Sequence, residues 1–236
     1  MISVCMAAYN GEKYIKAQID SILCQLGQED ELVISDDGSS DGTLGIITGY
    51  NDSRIVLLHN KGKHGVNHNF ENALKHAKGD IIFFSDQDDI WLPGKVQTCT
   101  EALKMCDCVF HDAMVINKDG EVVSESFCGD KIPSGDFWKN LWKTSYMGCR
   151  MAINRVALEY VLPYPDKLLC YQEGWVASMI AIKSKVKFIS FKGIKYRRHE
   201  SNVSCTTGKS PYSLCKKLSI RMNLLSNVTK RLLKII

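Results

Sequence analysis

The sequence predicts an α/β domain, a mostly parallel sheet flanked on both faces by helices. Three observations carry that expectation. Short apolar runs alternate with amphipathic stretches through the first half of the chain. The runs are continuous, as in strands covered on both faces, where a half-exposed strand would alternate. The chain has 236 residues, 45% hydrophobic and 24% charged, enough for one large domain with a real core.

The elements follow in order. ISVCMAA (2–8) is the first apolar run and ends in turn residues. Residues 11–26 put Ile15, Ile19, Ile22, Leu23 and Leu26 on one helical stripe. ELVIS (31–35) reads as a second strand, with DDGSSDG (36–42) as the loop after it. RIVLLH (54–59) is a third strand. Residues 66–78 place Phe70, Ala73, Leu74 and Ala77 at helical spacing before Gly79, a helix stop. DIIFF (80–84) is the fourth strand. This βαβαβαβ rhythm requires a parallel sheet. Later, CDCVFHDAMVI and EVVSESF read as strands around a turn at Asp119-Gly120. KVKFISF and IKYRRH read as two separate late strands. No linker, repeat or low-complexity stretch divides the chain.

Open parallel sheets bind ligands at the carboxyl ends of their strands. Three such ends are polar here: YNGE (9–12), DDGSSDG (36–42) and DQDD (86–89). In FFSDQDDIWLP (83–93), Asp86, Asp88 and Asp89 crowd the tip of a buried strand. Crowded carboxylates raise one another's pKa, a cost that a bound divalent cation removes. Asp86 and Asp88 suit Mg²⁺ or Mn²⁺, hard cations that prefer oxygen and keep positions open for phosphates. A helix cap would need one Asp, not three. A calcium loop starting at Asp86 fails because Ile90 and Trp91 stand where an acidic ligand and a Gly belong. The loop from Asp37 matches a calcium loop for its first half and then breaks at Thr48. That leaves Asp37 free to contact a base or ribose. No P-loop and no G-x-G-x-x-G follows the first strand.

Composition excludes several classes. No window approaches the roughly 18 apolar residues of a membrane span. The start, ISVCMAA, has neither a basic n-region nor a small-residue cleavage site, so no signal peptide is expected. Ten cysteines lie scattered, mostly in apolar segments, with no C-x-x-C, which points to reduced thiols in a cytosolic protein. Net charge is +4, yet after Glu200 there are seven basic residues and no acidic ones, leaving a body of −3. A basic tail on an acidic body implies an anionic partner for the tail. From 214, Leu214, Leu218, Met222, Leu225, Val228, Leu232 and Ile236 share one helical stripe, interrupted by Arg221. Lys216, Lys230, Arg231 and Lys234 lie away from it. Two readings stand side by side: the helix lies on an anionic bilayer, or it packs on the domain.

ISVCMAAYNGEKYIKAQIDSIL, ELVISDDGSSDGT and NHNFENALKHAKGDIIFFSDQDDIWLPGKV, in that order, resemble the family 2 glycosyltransferases, in particular the bacterial rhamnosyltransferase-like branch. The later QEGWVAS and YRRHESNVS resemble that branch's last two characteristic stretches. The resemblance implies a GT-A fold, with a Rossmann-like sheet, and inverting transfer from a nucleotide-diphosphate sugar of the UDP or dTDP type to a glycan or lipid-linked saccharide. By position, Ala7, Tyr9 and Glu12 lie along the nucleotide, Asp37 reads the base, and Asp86 lies near the donor ribose or sugar. Asp88 and His199 are the implied ligands of Mn²⁺ or Mg²⁺, and Glu173, where relatives usually carry Asp, is the implied general base. Residues 1–208 form the catalytic domain, with a nucleotide-sugar half (1–106) and an acceptor half (107–208), and 209–236 a basic amphipathic helix. The expected setting is cytoplasmic, with the tail touching the inner membrane's cytoplasmic face; no nucleic-acid partner is expected. The rivals are a catalytically degenerate relative that binds glycan or scaffolds a complex, and a sugar-nucleotide pyrophosphorylase, which should carry a Gly-rich, Arg-containing loop where AAYNGEKY stands.

Overall fold

In the computed structural model, residues 1–130, 132–200, 202 and 212–235 are described. The 208/209 boundary expected between domain and tail falls outside them. In chain order the elements are β1 (Ile2–Ala8), α1 (Ile15–Leu23), β2 (Glu31–Asp36), α2 (Thr43–Thr48), β3 (Ile55–His59), α3 (Val66–His76), β4 (Ile81–Ser85), β5 (Ile90–Trp91), α4 (Lys95–Leu103), β6 (Cys108–Ile116), β7 (Val122–Ser124), α5 (Phe137–Trp142), β8 (Met151–Asn154), α6 (Leu158–Val161), α7 (Gln172–Lys183), β9 (Val186–Arg197) and α8 (Leu214–Ile235).

The strands form one sheet in the order β3-β2-β1-β4-β8-β6-β9-β5, with β7 paired to β6. The first four run parallel. Antiparallel β8 joins β4 to β6, and β6 runs parallel to β9. Successive residues of a strand point to opposite faces, so the sheet separates two cores. Val4, Met6 and Ala8 of β1 pack with Ile15, Ile19 and Ile22 of α1 and Cys99 of α4. Cys5 packs instead with Phe70 and Leu74 of α3 and Trp175 and Met179 of α7. Every side chain of β2 is buried, as its unbroken apolar run predicts.

The order β3-β2-β1-β4 reverses direction between β1 and β4. The chain walks outward from β1 through β2 to β3, then returns to the other side of β1. The connections leaving β1 and β4 therefore diverge at their carboxyl ends and open a crevice there.

Two expectations are corrected. KVKFISF and IKYRRH are not separate strands but one, β9, parallel to nine residues of β6. The register slips at His111 and Asp112, which produces the apparent break. Gly193 lies at that slip, where a Cβ would stand 2.7 Å from the His111 ring. The second correction concerns the tail. In the expected apolar stripe Leu214, Leu218 and Met222 are exposed, whereas Val228 is buried and Leu232 packs on the core, and the helix docks through these two and through Leu224, which lies off the stripe. Arg221 belongs to the docked face. Its guanidinium donates to the carbonyls of Leu141 and Trp142. Arg231 donates to those of Tyr160, Leu162 and Pro163. These carbonyls lie at or just beyond the carboxyl ends of α5 and α6, where backbone acceptors lack partners within the helix. Asn223 adds a bond from the Leu169 amide at 2.9 Å. No described helix is long and apolar enough to cross a membrane.

Candidate active site

A cavity of about 430 Å³ occupies the crevice. Ala7, Tyr9, Asp37, Asp86, Asp88, Glu173 and His199 all line it. Glu12 does not. Its carboxylate accepts the Gly42 amide at 2.6 Å, and its own amide donates to Asp41, tying the 9–12 turn to the 36–42 loop.

The tip of β1 is clamped to the tip of β4. The Gln87 carboxamide accepts from the Tyr9 amide and donates to the Tyr9 carbonyl, both at 2.9 Å. Gly11 makes this possible, because a Cβ there would collide with that carboxamide. Asn10 takes a positive φ of 47° between them, a conformation Asn tolerates, and its side chain accepts the Ser40 amide at 2.8 Å. Asp37, just past β2, meets Asn60 Nδ2 at 2.7 Å, His64 Nδ1 at 3.0 Å and the Gly65 amide at 2.7 Å.

The acids after β4 diverge. Asp89 turns inward, with Oδ1 taking the Arg197 amide at 2.9 Å while the buried Oδ2 has no hydrogen-bond partner among the described residues. Asp86, Asp89 and Cys149 bring one ligand atom each within 4.8 Å of one another. Burial, and then the charge of Asp88, pushes the Asp86 carboxyl up from its ordinary value. Asp89 is pushed up for the same two reasons in the same order. Beside them lies fully buried Lys95, whose Nζ donates to the Cys149 carbonyl at 3.1 Å and sits 3.8 Å from the Trp91 ring centre. Burial brings Lys95 down to about 8. Asp88 stands outside this cluster. His199 Nε2 lies 2.7 Å from its Oδ2, Asn202 Nδ2 donates to the same oxygen at 3.2 Å, and Arg197 Nε donates to its carbonyl at 2.9 Å. The His199 ring packs 5.0 Å from that of Tyr14.

This donor set fits a hard divalent cation. It is rich in carboxyl oxygen, sets three carboxyl groups beside the one ammonium of Lys95, and includes a buried carboxyl oxygen with no hydrogen-bond partner among the described residues. Asp86, Asp88 and His199 face the cavity.

Glu173 lies in the first turn of α7, and Gly148 passes so close that a Cβ there would be 3.6 Å from its Oε2. Burial pushes the Glu173 carboxyl up to about 8, with the charge of Asp86 adding to the rise and the backbone opposing it. Its amide end of the helix favours a carboxylate, yet desolvation outweighs that.

The profile of Glycosyl transferase family 2 matches residues 3–162. The chain belongs to this family. Its fold is the GT-A fold, shared with an S. aureus TarS fragment solved with UDP-GlcNAc (TM-score 0.74, 19% identity, covering 96% of this chain and 66% of that one). The mannosyltransferase PcManGT from Pyrobaculum calidifontis, solved with GDP-Man and Mn²⁺, also shares it (TM-score 0.61, 17% identity, 99% of this chain, 74% of that one). Among curated relatives, UDP-Glc:alpha-D-GlcNAc-diphosphoundecaprenol beta-1,3-glucosyltransferase WfgD of Escherichia coli is 30% identical over 86% of this chain and 79% of its own length. The dTDP-rhamnosyl transferase RfbG of Shigella flexneri is 28% identical over 84% of this chain and 72% of its own. The chain spans 66% of the length of a Nostoc glycosyltransferase that it matches at 28% identity.

Several residues in and around this cavity carry no sequence signal of their own. Lys95 and Cys149 are single residues in ordinary segments. Gln87 is hidden between acids that draw attention to themselves. Asn202 follows His199 by three residues, and that i to i+3 spacing is the one clue to a shared target.

Proposed function

We propose that this glycosyltransferase moves a sugar from a UDP- or dTDP-type nucleotide-diphosphate donor to a saccharide hydroxyl, with inversion, on a glycan or a lipid-linked acceptor of cell-surface polysaccharide synthesis. The observation that carries the reading is the convergence of Asp37, Asp86, Asp88 and Glu173 on one cavity at the switch point of the sheet. The names of WfgD and RfbG support the nucleotide-sugar donor, and that of WfgD the lipid-linked acceptor.

Each residue has a task. Asp37, fixed by three donors, receives the base or ribose. Ala7 and Tyr9 flank the nucleotide, and Glu12 shapes the turn that carries it. Asp86 lies by the donor ribose or sugar. Asp88 and His199 would hold Mn²⁺ or Mg²⁺, which when bound would supply counter-charge for the leaving nucleoside diphosphate. Glu173 takes the acceptor hydroxyl's proton as that oxygen attacks the anomeric carbon from the face opposite the leaving group. A single displacement inverts the anomeric centre and needs no protein nucleophile.

The test is a panel of UDP-, dTDP- and GDP-sugars with Mn²⁺, read by nucleotide release and thermal shift. Release from one donor class that stops in excess EDTA supports the reading. Full activity in EDTA would remove the metal assignment. A donor that binds without turnover under every acceptor would leave a binding protein.

A further inference from the structure

A second concavity, of about 1080 Å³, lies between the β3–α3 loop, the 163–167 turn and the carboxyl half of α8. Its lining includes Lys61, Lys63, Lys167, Lys230, Arg231 and Lys234, which come from three separate parts of the chain. Two acids share the lining, Glu71 and Asp166. Both are engaged: Glu71 with Lys75 at 2.8 Å and with the Tyr164 amide at 3.1 Å, and Asp166 with Lys63 at 3.3 Å. Arg231 is committed to backbone carbonyls. Lys61, Lys167, Lys230 and Lys234 have no ion pair among the described residues. An ordinary solvated surface mixes signs. Here the fold gathers four unpaired ammonium groups around one hollow, where their fields add.

The hollow adjoins the donor cavity through two segments. Asn60 Nδ2 bonds Asp37 in the donor cavity at 2.7 Å and the Lys63 carbonyl at 2.9 Å on the groove side. Residues 163–167 line the groove and residues 171–173 line the cavity, so one short segment joins them. The two concavities therefore share Asn60 and the 163–173 segment as neighbouring walls.

We infer that the groove binds the phosphate or diphosphate group of the acceptor substrate, a second anion site separate from the donor's. The inference rests on the proposal that the acceptor is lipid-linked, which gives it a charged phosphate next to its sugar. Lysine ammonium groups bind phosphate as point charges and do not require one fixed geometry, which suits a mobile lipid-linked group.

The experiment uses the full chain and a variant carrying Lys167→Glu, Lys230→Glu and Lys234→Glu. In EDTA, calorimetric titration with pyrophosphate should show binding that weakens about tenfold or more in the variant. Unchanged UDP affinity and an unchanged thermal midpoint establish that the variant folds. Should it not fold, Lys61→Gln with Lys230→Gln gives the same reading at smaller amplitude. Kinetically, KM for a diphosphate-bearing lipid acceptor should rise about tenfold with kcat little changed. KM for a phosphate-free glycoside acceptor should stay level. Equal pyrophosphate binding by parent and variant overturns the proposal. Loss of binding to phosphatidylglycerol vesicles with no change in either KM also overturns it, since the groove would then read membrane headgroups. The calorimetric arm needs no turnover, so it still decides if the parent transfers no sugar and the functional reading fails.

Discussion

Asp37 and Glu173 line the same cavity, but their carboxylates are held in different ways. Asp37 is met by an amide side chain, an imidazole and a backbone N–H. Around it, Gln87 ties Tyr9 in place and Glu12 pins the neighbouring loop. That wall is cross-linked by polar groups that satisfy one another. Glu173 stands at the start of a helix, with burial pushing its carboxyl up to about 8. Its wall keeps a group whose protonation is poised to change. A surface that binds a constant ligand gains from preorganisation, while one that must move a proton needs a group near its titration point.

The largest test of this contrast is Asp88→Ala. It removes the acid that His199 and Asn202 hold, and metal-dependent donor cleavage should fall by about 1,000-fold in nucleotide-release assays. Residual activity that EDTA still abolishes would move the metal to Asp86 and Asp89. Next is Glu173→Gln, which keeps the shape and loses the basicity. Transfer should drop by about 100-fold with donor affinity and thermal midpoint retained. Glu173→Asp should keep part of the activity. Transfer near the parent rate in the Gln variant would place the base elsewhere.

The pH profile sharpens the same point. A carboxyl raised to about 8 is protonated at neutral pH and accepts a proton only after losing its own. kcat/KM should rise about tenfold per pH unit below that value and level off above it. A cation bound nearby would shift the midpoint lower. The stability effect has the opposite slope. Between the ordinary carboxylate range and 8 the folded state holds a proton that the unfolded chain releases, so stability falls as pH rises through that window. Glu173→Gln should remove the rise in kcat/KM and make the stability curve shallower, with Asp86 and Lys95 still contributing to it, and a parent kcat/KM profile flat from pH 6 to 9 would contradict the assignment.

The smallest effects concern the support of the Glu173 wall. Val228 is 1% exposed on α8, and Arg231 beside it stands over the Trp175 ring of α7 at 5.4 Å. Val228→Asp buries a charge and should lower the thermal midpoint by about 5 °C or more. Acceptor KM should rise more than donor KM. Leu218→Ser, at a position 52% exposed, should leave the midpoint within experimental error.

The Asp37 wall is readable in the sequence because its strands are covered on both faces. Such strands are continuous apolar runs, and their polar tips mark the crevice. The other half hides its architecture. β8 has four residues and pairs antiparallel with strands far away in sequence. β9 bulges at Gly193, where the His111 ring of neighbouring β6 leaves no room for a Cβ. In α8, Arg221 looked like a break in an apolar stripe because nothing local reveals the open carbonyls of α5 that it meets. Glu173 was visible as an acid in an apolar stretch, whereas Lys95 acquires meaning only beside Asp86, Asp89 and Cys149.

The hold of β9 on the acids of β4 also sets a timetable for the ribosome. Asp88 and Asp89 are anchored by Arg197, which lies 109 and 108 residues later. At about 5–20 residues per second, the nascent chain waits on the order of 5–20 s between making these acids and making their anchor. Through that interval the emerging polypeptide carries both acids without their anchor, so the cavity wall they form is completed only when β9 has been synthesised.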